Sequence, residues 1–149
     1  MNTSATTIPA TEFAGTRPLT KFTELGGRIL LAHIFLLSGM YKLSTYGATV
    51  GYMQSAGVPG ALLPLVIATE LGGALALIMG WQTRIGAFLL AGFTFVAACI
   101  FHNNFADPIQ QMQFMKNITI VGGLLVLVAR GAGPLSLDAR RARQRVTSR

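Results

Sequence analysis

Residues 62–81 read LLPLVIATELGGALALIMGW, twenty positions with a single charged side chain, Glu70, near the middle. At about 1.5 Å of rise per residue, a helix of this length covers about 30 Å, the thickness of a bilayer's hydrocarbon core. The stretch reads as a transmembrane helix, and the chain as an integral membrane protein. A carboxylate at mid-depth in hydrocarbon is costly unless it is protonated or paired, so the rest of the chain must supply Glu70 with partners.

The composition agrees. With 149 residues, 52% hydrophobic and only 11% charged, the chain has too little polar surface to cover a soluble globule of its size. A net charge of +7 would point to nucleic acid in a soluble protein, but six of the twelve basic residues fall in the last twenty positions, beside a membrane helix. That placement points to topology and lipid headgroups and away from nucleic acid. The one cysteine, Cys99, allows no internal disulfide and no cysteine-cluster metal site, and reads as a small packed residue.

Outward from the central stretch, the chain resolves into four spans. Residues 1–20, rich in Thr, Ser and Ala with Pro9 and Pro18, lack hydrophobic periodicity and read as a disordered tail. The apolar run behind Arg17, Lys21 and Arg28 is long enough to span, so it reads as a retained first helix over about 27–46 and not as a cleaved signal. Residues 48–55, ATVGYMQS, are too short to cross and suit a short helix at the interface, with Tyr46 and Tyr52 at headgroup level. Gly57-Val58-Pro59-Gly60 then turns the chain into the second span, 62–81. A compact hairpin at residues 81–84 leads into the third span, 84–101, which leaves the membrane through His102-Asn103-Asn104. The fourth span, about 112–129, is stopped by Gly131-Ala132-Gly133-Pro134, and residues 135–149 form a basic tail.

Four spans put both termini and the hairpin on one side. That side carries Arg17, Lys21, Arg28, Arg84, Arg130, Arg140, Arg141, Arg143, Arg145 and Arg149, against only Lys42 and Lys116 on the other. The excess of basic residues assigns the termini to the cytoplasm.

Depth along the bilayer normal decides which polar groups can meet. Counted from the terminal side, Glu70 lies at roughly 16 Å and Lys42 and Lys116 both at roughly 21 Å, an offset that a lysine stem can bridge. The sequence therefore predicts a buried polar cluster of Lys42, Glu70 and Lys116; the plainer reading has both lysines reaching outward to the interface while Glu70 is protonated or bonded to a hydroxyl. His33 at roughly 10 Å and His102 at roughly 27 Å are too far apart to share a metal ion, which leaves each as a candidate ligand or proton site on its own. No nucleophile elbow, phosphate loop, H-E-x-x-H or C-x-x-C is present, so the chain has no independent catalytic motif and no metal motif.

The order of features resembles the DoxX family of small four-helix membrane proteins. The matching stretches are G-M-Y-K-L at 39–43, Y-M-x-S-x-G-V-P at 52–59, E-L-G-G-A-L-A-L-I-M-G-W-Q-T-R at 70–84, K-N-I-T-I-V-G-G-L-L at 116–125 and G-P-L-S-L-D-x-R at 133–140. The resemblance spans about residues 26–141 and is nearest to the short bacterial inner-membrane branch, with Lys42, Glu70, Arg84 and Lys116 at the family's polar positions. It implies a multi-pass protein of the bacterial plasma membrane. The family takes its name from a subunit of a quinone-linked sulfur oxidoreductase, and some members associate with redox enzymes.

The sequence thus predicts an all-α, four-helix integral membrane bundle with a short interfacial helix between spans one and two. The expected function is a non-catalytic subunit or anchor of a membrane redox system, with a quinone or lipid site near the polar cluster and no covalently bound cofactor. The rival is a small-solute or anion transporter, since two lysines against one carboxylate would leave a positive site inside the bundle. A third reading is a structural protein whose polar groups only hold helices together.

Overall fold

The structure, a computed structural model, describes residues 18–147. The expected tail at residues 1–17 lies outside the described residues, as do positions 148 and 149; residues 18–20 open the first helix. Among the described residues six α-helices follow one another: α1 (Pro18–Ser44), α2 (Tyr46–Ser55), α3 (Leu63–Met79), α4 (Thr83–Phe101), α5 (Pro108–Arg130) and α6 (Leu137–Thr147). Among the described residues there is no strand. α3 with the 3-10 turn before it, α4 and α5 are each long and apolar enough to cross a membrane. A fourth span is counted when α1 and α2 are taken as one pair, bent by 101°. The all-α membrane bundle read from the sequence is the fold, with the ten-residue α2 turned across the far end of α1.

Local chemistry sets the helix ends. α3 stops at Gly80, whose φ of 65° is the left-handed conformation that glycine adopts without strain, and the Gly80 and Trp81 amides bond back to Leu77 and Ala76 at 3.2 and 2.9 Å. α5 begins at Pro108, four residues before the expected start at 112, because Asp107 caps it by accepting the Ile109 amide at 2.8 Å and proline suits the first turn. α1 begins nine residues before the expected 27, carrying Lys21, Glu24 and Arg28 on its polar first turns. Residues 137–147, read as part of a basic tail, form α6, whose start Ser136 caps by accepting the Ala139 amide at 3.1 Å.

α1 packs along α3 and α4 along α5; α3 joins the two pairs through α4, while α1 and α5 touch only lightly. Gly39 admits Leu71 so closely that an added Cβ would lie 2.7 Å from its Cδ2, and Gly73 admits Leu90 at 2.6 Å in the same way. One apolar core, with Ala32, Phe35, Leu77, Leu90 and Leu124, fills the half of the bundle nearer the start of α1 and the end of α5, here the terminal face. A second, of Met53, Leu63 and Ile67, lies under α2.

At the terminal face the chain after α5 folds back over the α3–α4 hairpin. Arg28 is 1% exposed and donates to the carbonyls of Ala132 and Leu135, the latter at 2.8 Å. Asp138 accepts the Gln82 and Thr83 amides at 2.8 and 3.0 Å while its own amide donates to Gly80 at 2.9 Å.

Candidate functional site

Between the two cores is a cavity of about 420 Å³, bounded by α1 to α5. Its walls are mostly apolar, with Phe35, Val66, Phe93, Ala97, Ile100 and Ile120 among them, and Tyr52 stacks on Phe101 at 5.2 Å by its α2 edge. The polar lining is sparse: Ser38, Lys42 and Glu70, then Thr49, Thr94, His102 and Asn117.

Helical spacing assembles the first three. On α3 the buried positions Leu63, Ile67, Glu70, Ala74 and Leu77 follow the three-and-four spacing of one face, so Glu70 occupies an inward place otherwise given to apolar side chains. Ser38 and Lys42 are four residues apart and share a face of α1. Lys42 Nζ lies 2.8 Å from Glu70 Oε1 and 3.0 Å from Oε2, and 2.5 Å from Ser38 Oγ, whose hydroxyl donates to Oε1 at 3.0 Å. The two side chains form an ion pair, with exposures of 22% for Lys42 and 5% for Glu70. The carboxylate is desolvated and compensated, while the ammonium keeps an edge toward the cavity.

Lys116, expected as a third member, does not join. Its side chain is exposed and its ammonium donates to Gln113 Oε1 at 3.2 Å, one turn earlier on α5. The next residue, Asn117, lines the cavity instead. Depth along the axis was matched, but one residue is a rotation of about 100°, and the packing of α5 against α4 turns Lys116 outward. The histidines also part company. His33 is exposed on α1, its Nδ1 2.5 Å from the Leu30 carbonyl, and does not line the cavity. His102 does, with Nδ1 2.8 Å from Gln110 Oε1. Among the described residues no group of three or more His, Cys, Asp or Glu could hold a metal ion. Cys99 is exposed on α4, not packed as expected. Ser38, Thr94 and Asn117 were not singled out in the sequence; only Ser38, four residues before Lys42, carried a signal that could have found it.

Outside the spans, burial pushes the Asp138 carboxyl up, but the Thr83 and Gln82 amides and the nearby Arg141 outweigh it and hold the carboxyl below the usual carboxylate range.

The family model DoxX matches residues 23–103, which include Ser38, Lys42 and Glu70 but not Lys116. The chain is similar to "Inner membrane protein YqjF" of Escherichia coli (strain K12), with 46% identity over 114 residues, 76% of this chain and 88% of that protein. It is similar to "Inner membrane protein YphA" of the same organism, with 33% identity over 136 residues, 87% and 95% of the two chains. A more distant likeness, 24% over 125 residues, covers 78% of this chain and 40% of the "Surfeit locus protein 4 homolog" of Drosophila melanogaster. No solved structure gives a significant match.

Proposed function

This chain belongs to the DoxX family, and on that premise we propose that it is a non-catalytic subunit or anchor of a redox system in the bacterial inner membrane, whose cavity takes a quinone-type head. The names of the two Escherichia coli relatives support the inner-membrane assignment. Both termini lie in the cytoplasm, on the excess of basic residues at the terminal face.

One observation carries the ligand: the Lys42–Glu70 pair stands on the wall of a largely apolar cavity and is not sealed within packed side chains. A pair serving only to hold helices together has no need of such a space beside it. The cavity volume and its apolar walls suit a flat ring with a hydrocarbon tail, in keeping with small-molecule pockets in general. Glu70 Oε2 accepts only from Lys42, so it retains a lone pair for a ligand hydroxyl, while the exposed edge of Lys42 can donate to a ligand carbonyl. A group that accepts from an ammonium in one state and donates to a carboxylate in the other is a quinone with its quinol.

Transport of an anion is less well supported. It rested on two lysines against one carboxylate, and with Lys116 bonded to Gln113 the pair beside the cavity is balanced.

The test is purification in mild detergent, followed by extraction and mass spectrometry of bound lipids and quinones and identification of co-purifying proteins. The proposal expects a quinone retained by the wild type and lost from Lys42→Met, together with a dehydrogenase or flavoprotein in the pull-down. Absence of quinone from the wild type, with solute counterflow in liposomes holding this protein alone, would favour the transporter instead.

A further inference from the structure

α6 carries Arg140, Arg141, Arg143 and Arg145 against one acidic residue, Asp138, and all four arginines are exposed. The Asp138 carboxylate is taken up by the Gln82 and Thr83 amides and leaves the helix strongly positive. At about 100° per residue, Arg140, Arg141, Gln144 and Arg145 fall on one arc, while Ala139, Ala142 and Val146 lie on the other side. Arg143 turns back to the Pro134 carbonyl at 2.9 Å, in the service of the loop.

The position of this arc is fixed by Trp81. Trp81 follows the end of α3, is 39% exposed, and has the Arg141 guanidinium 5.9 Å from its ring centroid. Tryptophan at the end of a membrane-spanning helix marks the headgroup layer. The Asp138 carboxylate, accepting from the Gln82 and Thr83 amides, and the Asp138 amide, donating to the Gly80 carbonyl, hold the first turn of α6 at that same level. A positive helix held further out would suit a soluble acidic partner; one tied to the end of a span, beside a tryptophan, meets lipid phosphates.

We propose that Arg140 and Arg141, with Trp81, form a binding site for the phosphates of anionic phospholipids. Guanidinium groups offer paired donors to phosphate oxygens, and the indole covers the glycerol and upper acyl region beneath them. The site lies at the opposite end of the bundle from the cavity and stands independently of its ligand.

The chain's single tryptophan gives a direct readout. The full-length protein is reconstituted in vesicles of phosphatidylcholine and phosphatidylglycerol, with shallow bromine labels on one lipid or the other, and quenching of Trp81 gives their relative association. The proposal expects brominated phosphatidylglycerol to quench preferentially, and the preference to fall about tenfold in the Arg140→Gln, Arg141→Gln double variant. Arg140→Lys with Arg141→Lys should keep most of it, and high salt should erase it in the wild type, an arm that needs no variant to fold. Equal quenching by the two lipids in the wild type, or a preference unchanged by the double Gln variant, would overturn the proposal and leave the arc to an acidic protein.

Discussion

Lys42 of α1 and Glu70 of α3 stand 28 residues apart in the chain and 2.8 Å apart in space, with Ser38 bonded to both. The three groups form a closed polar triangle between the two helices that pack most extensively with one another outside the α4–α5 pair. Removing one partner of a buried pair costs about 3–5 kcal/mol in soluble proteins, while couplings between membrane helices average about 0.6 kcal/mol and reach about 1.7. Glu70→Gln should therefore destabilise the bundle by about 1–3 kcal/mol, and adding Lys42→Met should recover part of the loss. Lys116→Met should be additive with Glu70→Gln in the same thermal unfolding series in detergent, because Lys116 bonds elsewhere.

Gly73 and Gly72 are neighbours with opposite surroundings. A Cβ at Gly73 would meet Leu90 within 2.6 Å, whereas one at Gly72 would meet nothing within 4 Å. Gly73→Val should push α3 from α4 and cost about 1–3 kcal/mol of stability, the usual penalty of overpacking. Gly72→Ala should be neutral or slightly stabilising, since it removes the helix penalty of glycine without a clash. Unfolding midpoints of the two variants, measured side by side, check this.

Arg28 holds the segment after α5 by bonding two of its carbonyls from a fully buried position. Arg28→Met keeps much of the bulk but leaves the carbonyls of Ala132 and Leu135 without their donor, at a cost of about 1–3 kcal/mol for each group that water cannot reach. Limited proteolysis should cut the variant within residues 131–137 faster than the wild type.

Asp138 makes the docking of α6 sensitive to acid. Its carboxyl is held below its usual range in the folded protein, so its contribution is present above the unfolded pKa of about 3.9 and is lost as pH falls through the lower folded value. Amide exchange at Gln82 and Thr83 should be slow at neutral pH and, corrected for intrinsic rates, lose protection as pH drops below about 4. Asp138→Asn should weaken protection at neutral pH and abolish that acid step.

The spans were legible because the cost of polar groups in hydrocarbon writes itself into run length, as in residues 62–81; the start of α5 was not, because the Asp107 cap and Pro108 set it four residues ahead of the apolar run. The meeting of Lys42 and Glu70 followed from depth, which accrues at a fixed rise per residue. The exclusion of Lys116 did not follow, because rotation about the α5 axis is decided by packing against α4, and a single step exchanges Lys116 for Asn117. α6 was hidden for a different reason. Its arginines carry no apolar periodicity of their own, and the helix is held by long-range bonds from Asp138 to residues more than fifty positions earlier. The polar start of α1 was likewise obscured, because Arg28 is buried by a loop more than a hundred residues away.

The proposed function rests on a quinone-type head in the cavity beside Lys42 and Glu70. The most direct measurement is the affinity of a short-chain quinone for the purified protein, compared with that of Lys42→Met, of Ala97→Phe, which fills the cavity, and of Lys116→Met. A hydrogen bond to a charged donor is worth about 1.5–3 kcal/mol, so Lys42→Met should weaken binding about tenfold or more. Ala97→Phe should abolish saturable binding and Lys116→Met should leave it unchanged. Equal affinity in the wild type, Lys42→Met and Ala97→Phe would contradict a quinone site in this cavity.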